Sequence, residues 1–304
     1  MNSTTPKTVI LITGPTASGK TAVAIELARA YQAEIISADS RQCFQEMAIG
    51  VARPSTAELD AVPHHFIASH SIQEEVTAAT FEKYALDKTA TLFQEKDVVI
   101  VAGGTGLYIR AFCEGMDLIP EIDPAIRQQV ISEYEEKGLS WLQSFLQEKD
   151  PAFYSSGEIQ NPQRSMRALE VFLSTGKSIL TFQTGKKTKR EFNVIKIGLD
   201  LPKEILHQQI HRRVDQMINT GLEQEVKSLL LFRQRNALQT VGYTEMFEYL
   251  DGKISLAQTV EAIKTHTRQY AKRQLTWFRR DKDIHWFSPH DTDAIKSFLQ
   301  TSKH

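Results

Sequence analysis

Residues 8–31, TVILITGPTASGKTAVAIELARAY, leave the chain few folds to choose from. The apolar run Val9-Ile10-Leu11-Ile12 reads as a buried strand. Behind it stands Gly14-Pro15-Thr16-Ala17-Ser18-Gly19-Lys20-Thr21, a complete G-x-x-x-x-G-K-[ST] loop. Ala24, Leu27, Ala28 and Tyr31 then recur at i, i+3, i+4 and i+7, the apolar face of a helix. Such a loop aims successive backbone N–H groups at a ligand from the positive end of a helix, an arrangement that favours phosphate oxygens. Lys20 adds a point charge, and Thr21 a hydroxyl suited to Mg²⁺. The segment predicts phosphate or diphosphate binding and leaves open which compound is bound.

Four further runs read as strands: Glu34-Ile35-Ile36-Ser37, Val98-Val99-Ile100-Val101, Asn193-Val194-Ile195-Lys196-Ile197 and Ile284-His285-Trp286-Phe287. Helical patterns such as residues 80–95 separate them. The alternation predicts an α/β fold, a parallel sheet of P-loop NTPase-like type flanked by helices. From about residue 115 to 191 the strand signal disappears. One helix is expected from Asp123-Pro124, one over residues 140–149 and one after Asn161-Pro162. These make a helical insertion domain, 115–191, inside a core domain of 1–114 and 192–304. A basic loop, Lys186-Lys187-Thr188-Lys189-Arg190, closes the insertion. Thr220-Gly221-Leu222-Glu223 matches a capping box.

Composition narrows the partners. Lys+Arg 36 against Asp+Glu 37 gives a net charge of -1, so any nucleic-acid contact has to come from local patches. The two cysteines, Cys43 and Cys113, cannot form a disulfide framework, which fits a reducing cytoplasm. The first residues carry no signal-peptide pattern, and no apolar run reaches membrane-spanning length. A cytoplasmic protein without membrane contact is expected.

Asp39 follows the second strand at its carboxyl end, the side on which open α/β sheets bind ligands. It reads as a general base, as part of a Mg²⁺ shell, or as an N-cap holding the next helix. The third strand ends in Ala102-Gly103-Gly104-Thr105. A hydrolysing P-loop enzyme usually carries its Mg²⁺-binding aspartate there. Here the only nearby acid, Asp97, lies at the strand's beginning. The glycines permit either close approach to a ligand or a tight turn. Arg212-Arg213 offers a cation for the loop or a solvated helix face. Arg164 and Arg167 lie three apart, on one side of a helix. Residues 264–282 interleave Lys264, Arg268, Lys272, Arg273, Arg279, Arg280 and Lys282 with Tyr270, Trp277 and Phe278. That pattern suits either RNA or an amphipathic helix with a buried aromatic stripe. His64-His65 lacks a carboxylate spaced for a metal site; one ring packed inward and one exposed is the expected arrangement.

In order along the chain come GPTASGKT, ISADSRQ, IGVARP, PHHFI, VAGGTGLY, NPQRSMRALE, TVGYTEM and AKRQLTWFR. Together they resemble the tRNA dimethylallyltransferases (tRNA isopentenyltransferases), from about residue 9 to 286. The resemblance implies transfer of a dimethylallyl group from dimethylallyl diphosphate to N6 of the adenosine 3′ of the anticodon, in tRNAs reading codons that begin with U. It implies Mg²⁺ as cofactor, no nucleotide consumption, and a monomer. By the same resemblance Asp39 is the base, while Lys20, Thr21 and Arg213 stabilise the departing diphosphate, with Thr21 also a metal ligand. Asp39, Ser40, Arg41, Gln42, Thr105, Arg127, Gln163, Arg164, Ser165, Met166 and Arg167 match positions that touch the tRNA. The acceptor base would leave the anticodon-loop stack and meet the diphosphate from the opposite end of a channel.

The chain departs from the family pattern at Val51 and Arg53, at Ala68, and at Cys43-Phe44. The rival readings are an adenylate isopentenyltransferase, a small-molecule kinase with a helical lid, and an RNA-binding protein without catalysis.

Overall fold

The computed structural model describes residues 7–302. Its first unit, residues 1–113 and 189–304, is built on a parallel sheet of six strands among the described residues. In chain order the elements are β1 (Thr8–Thr13), α1 (Lys20–Tyr31), β2 (Ile35–Ser37), α2 (Thr56–Ala61), β3 (His64–His65), α3 (Ala78–Leu92), β4 (Val98–Gly103) and α4 (Gly106–Glu114). The strands lie in the order β3-β2-β4-β1, and two strands from the second half of the chain, described below, extend the sheet beyond β1.

Strand β1 lies between two neighbours and is buried on both faces, which explains its unbroken apolar run. Side chains alternate across a strand. Val9 and Leu11 therefore enter one core cluster with Val99 and Val101, while Ile10 and Ile12 enter the cluster on the other face with Val98 and Ile100. Ile10 sits in register with Ile100 on one side and Ile195 on the other.

The second unit, residues 114–188, contains α5 (Pro124–Lys149), α6 (Pro151–Ser155) and α7 (Pro162–Thr175). Asp123 caps α5 by accepting from the Ala125 N–H at 2.8 Å, and Pro124 opens the helix. Gly138, at φ 73°, interrupts α5, so the two expected helices run nearly end to end as one broken helix. Asn161 and Pro162 start α7 in the same way. Val130, Leu142, Leu146, Phe153, Met166 and Leu169 form the core of this unit. The division falls within three residues of the one expected from sequence. Arg190 belongs to the first unit because its guanidinium holds Glu82 and the carbonyls of Ala111 and Phe112.

The chain then continues with β5 (Asn193–Leu199), α8 (Lys203–Asn219), α9 (Leu222–Ser228), α10 (Tyr243–Leu250), α11 (Leu256–Phe278), β6 (Ile284–Phe287) and α12 (Thr292–Thr301). β5 pairs with β1, and β6 pairs with β5 at the sheet edge. The capping box expected at Thr220 does not form. Thr220 ends α8, its hydroxyl donating to the Gln216 carbonyl at 2.9 Å, and α9 starts after Gly221 in the left-handed region. The hydroxyl turns back onto a carbonyl in the last turn of the preceding helix instead of an N–H of the next.

Candidate active site

Three strand ends converge on one region, because β2, β4 and β1 are neighbours. β1 delivers the phosphate loop. Gly14 and Gly19 adopt φ 149° and 84°, and a Cβ on Gly14 would stand 2.6 Å from the Leu199 carbonyl oxygen. The loop passes directly into α1, whose first residue is Lys20. Lys20 folds back to donate to the Pro15 carbonyl at 2.6 Å. Burial, and then the neighbouring Arg213 cation, lower the Lys20 ammonium to about 7, although the Asp39 carboxylate pulls it upward. The Ser18 hydroxyl is buried and has no partner among the described residues.

β2 delivers Asp39. Its Oδ1 accepts from the backbone N–H groups of Arg41 at 2.9 Å and Gln42 at 3.2 Å. Only one oxygen is committed, and to a turn in place of the expected helix N-terminus: Oδ1 shapes that turn, and Oδ2 makes no hydrogen bond among the described residues. β4 delivers Thr105, whose Oγ1 accepts from the Ser40 N–H at 3.0 Å and steadies the Asp39 turn from below.

The glycines after β4 serve protein packing. A Cβ on Gly103 would lie 2.1 Å from the Ala38 carbonyl oxygen, and one on Gly104 2.3 Å from Gln274 Nε2. Their small size lets α11 and the segment after β2 close against β4, and both glycines also line the cavity over the phosphate loop, so close approach is what the contacts describe. Asp97 lies at the opposite, amino edge of β4, paired with Lys7 at 3.0 Å. The acids lining the cavity over the phosphate loop are Asp39 and Glu58.

That cavity has a volume of about 730 Å³ and is lined by Thr16 to Thr21 together with Asp39 and Arg213. A second, of about 610 Å³, is lined by Ser40, Arg41, the 239–245 segment and one face of α11. Thr16, Asp39, Arg213 and Tyr270 line both. Arg213, from α8, reaches Thr16 Oγ1 at 3.2 Å, so it is the member of the Arg212-Arg213 pair aimed at the loop. Tyr270 is pushed up to about 12 by burial and by the Asp39 charge, which keeps its hydroxyl protonated.

The basic stretch at 264–282 is mostly one long helix, with part of its aromatic stripe buried. Tyr270 and Arg273 line the second cavity, Phe278 is core, and Trp277 packs against the turn at Gly106. Lys264 pairs with Asp215 and Arg279 with Asp200. His64 and His65 are both half-buried, which corrects the expectation of one inward and one exposed ring. His64 Nδ1 donates to the Val62 carbonyl and His65 Nε2 contacts Glu34, each at 2.7 Å.

Within the helical unit, α7 presents Gln163 and Arg164 outward, with Arg167 half-exposed. Arg164 pairs with Glu158, and Arg167 with Glu170 at 3.3 Å. Ser165 and Met166 face inward: Ser165 Oγ donates to the Ile159 carbonyl at 3.3 Å, and Met166 joins the core. Five consecutive helical residues cannot share one face, so these two side chains are removed from any direct RNA contact. Arg127 lies on the exposed side of α5.

A family model described as IPP transferase matches residues 42–281. The chain belongs to the IPP transferase family. Among its relatives are the tRNA dimethylallyltransferases of Cytophaga hutchinsonii, 45% identical over 97% of this chain and 97% of that protein, and of Christiangramia forsetii, 47% identical over 96% and 99%. Among solved structures it resembles the tRNA isopentenylpyrophosphate transferase of Bacillus halodurans, with 32% identity, a TM-score of 0.73 and coverage of 98% and 97%. It also resembles a eukaryotic dimethylallyltransferase captured acting on tRNA, with 26% identity, a TM-score of 0.77 and coverage of 94% of this chain and 75% of that one. In this IPP transferase the P-loop NTPase-like sheet therefore carries an alkyl-transferring site.

Two supporting residues, Glu225 and Gln274, escaped the sequence reading, and Arg53 figured there only as a departure from the family pattern. Glu225 accepts from the backbone N–H groups of Ala48, Ile49 and Gly50 at 2.7–2.9 Å and from the Tyr243 hydroxyl at 2.6 Å. It organises the loop that walls both cavities. Arg53 donates to the carbonyls of Phe44, Gln45 and Met47, so this departure from the family pattern serves the fold of the same loop. Gln274 accepts from the Thr16 N–H and donates to the Gly104 carbonyl, both at 2.8 Å, and so clamps the phosphate loop to the β4 turn. The signals available for Gln274 were its place in the AKRQLTWFR block and its i+4 spacing from Tyr270. Gln274→Ala leaves two sheltered backbone groups unpaired. It is expected to cost about 2 kcal/mol of stability, seen as a lowered Tm, and to weaken diphosphate binding. Gln274→Glu keeps the acceptor for Thr16 but turns an anionic oxygen on the buried Gly104 carbonyl, and should cost at least as much.

Proposed function

We propose that the protein transfers the dimethylallyl group of dimethylallyl diphosphate to N6 of the adenosine 3′-adjacent to the anticodon, in tRNAs reading UNN codons, releasing diphosphate. One observation carries this reading: Asp39 stands where two cavities meet, one floored by the phosphate loop, and its Oδ2 is left for chemistry. The diphosphate lies in the first cavity along the 14–21 loop. The acceptor adenine enters from the second. As the N6–C1 bond forms and the C1–O bond breaks, the amine nitrogen becomes acidic and Asp39 takes its proton. Lys20 and Arg213 bear on the charge that gathers on the departing oxygens.

The oxygen donors at the loop suit Mg²⁺: Thr21 Oγ1 would hold the ion beside the diphosphate oxygens. The ion supplies charge neutralisation on the leaving group. A missing acid at the end of β4 is consistent with a reaction that hydrolyses no nucleotide. It disfavours the kinase reading, and the outward arginines of α7 favour tRNA over free adenylate. The active species is expected to be a monomer. The expected setting is the cytoplasm.

The test is direct. Unmodified tRNA incubated with the protein, dimethylallyl diphosphate and Mg²⁺ is digested, and its nucleosides are weighed. A five-carbon gain on one adenosine per tRNA is expected. Prenylated AMP or ATP in its place, or no prenylation, overturns the reading. Arg164→Ala with Arg167→Ala is expected to weaken stem-loop binding roughly tenfold and to lower the salt slope by about one to two. Donor affinity should be unchanged; if it alone changed, the insertion does not bind RNA.

A further inference from the structure

The second cavity carries a side-chain pair that the reaction as described does not use. Glu245 is buried in the first turn of α10, with 4% of its side chain exposed. Its Oε2 accepts from the Gly242 N–H at 2.7 Å and from the Thr244 hydroxyl at 3.0 Å. Its Oε1 holds His266 Nδ1 at 2.5 Å. The imidazole, from α11, is 49% exposed and lines the cavity one turn from Tyr270. A carboxylate accepts only, so the bond assigns a proton to Nδ1. Nε2, on the far edge of the ring, is left as a hydrogen-bonding position fixed in direction by a fully engaged carboxylate.

We propose that His266 is a specificity-determining residue that hydrogen-bonds through Nε2 to the nucleotide flanking the modified adenosine, with Glu245 as its positioning residue. This rests on the prenyl-transfer reading above. A ring held this way loses little freedom on binding, which is what a polar contact in a wet cavity needs in order to discriminate. A free histidine of the same exposure would gain less, because freezing its rotamer offsets the bond.

The experiment is steady-state transfer to an anticodon stem-loop by the full-length enzyme. His266→Ala is expected to raise KM for the stem-loop about tenfold, with kcat within a factor of two and KM for dimethylallyl diphosphate unchanged. His266→Gln, which restores a polar tip, should recover part of the loss. In stem-loops whose flanking bases are replaced one at a time by purine, which lacks exocyclic groups, one replacement should reproduce the tenfold effect in the native enzyme and add nothing in His266→Ala. An unchanged KM for the stem-loop in His266→Ala, or strictly additive effects at every flanking position, overturns the proposal. Absence of transfer by the native enzyme would instead overturn the prenyl-transfer reading itself.

Discussion

Asp39→Ala is expected to lower the rate of prenyl transfer about a thousandfold while tRNA binding stays within a few-fold of native. The adenine N6 lone pair is delocalised into the ring, so the nitrogen attacks usefully only as its proton leaves. With Oδ1 held by the N–H groups of Arg41 and Gln42, Oδ2 is the oxygen aimed at that proton. The turn itself has a second support, because Thr105 Oγ1 accepts from the Ser40 N–H. Removing the carboxylate therefore takes away the base before it takes away the loop. Asp39→Asn separates the two roles further: its amide oxygen can still cap the turn and cannot accept a proton. Equal loss in Asn and Ala variants is the expected result. A single-turnover assay with saturating stem-loop checks it, and an Asn variant with native rates would eliminate Asp39 as the base.

Lys20→Ala is expected to reduce kcat/KM for the prenyl donor by a factor of roughly 10² to 10³, and Arg213→Ala by a similar factor. Both cations face the same small volume, so removing both should cost less than the product of the single losses. Their closeness has a second measurable consequence. Burial and Arg213 lower the Lys20 ammonium to about 7. A bound diphosphate is expected to raise it, since an anion favours the charged form. At pH 8 Lys20 is therefore expected to be mostly neutral before binding and charged after it, so binding takes up a proton. At pH 6 Lys20 is already charged, and this uptake disappears. Affinity should accordingly fall as pH rises through 7 and beyond. Calorimetry of a non-reactive prenyl diphosphate analogue, run in buffers of different ionisation enthalpy, measures the uptake directly. Lys20→Arg keeps the charge at every pH tested and should abolish it; uptake that persists in this variant would place the titrating group elsewhere.

Much of this protein was legible in its order of residues, for local reasons. The 14–21 loop, the strands on either side of it in the sheet and the proline-led helix starts at Asp123 and Asn161 are determined by neighbours a few positions apart. Asp39 was legible as a cavity residue because strand ends share one side of a parallel sheet. Helix periodicity could have marked Ser165 and Met166 as inward, had it outweighed the motif.

Only the tertiary structure decided the remainder. Gln274 meets Thr16 across 258 positions, and Glu225 reaches Ala48 across 177. No local pattern encodes such partners, because a hydrogen bond depends on where two atoms end up and not on how far apart they are in the chain. Likewise the glycines after β4 were readable as close approach, but what approaches them, the Ala38 carbonyl and the Gln274 amide, is fixed by packing between elements. The residues proposed for the chemistry sit in short motifs and can be read directly. Those that hold them in place come from distant segments, and folding alone brings them together.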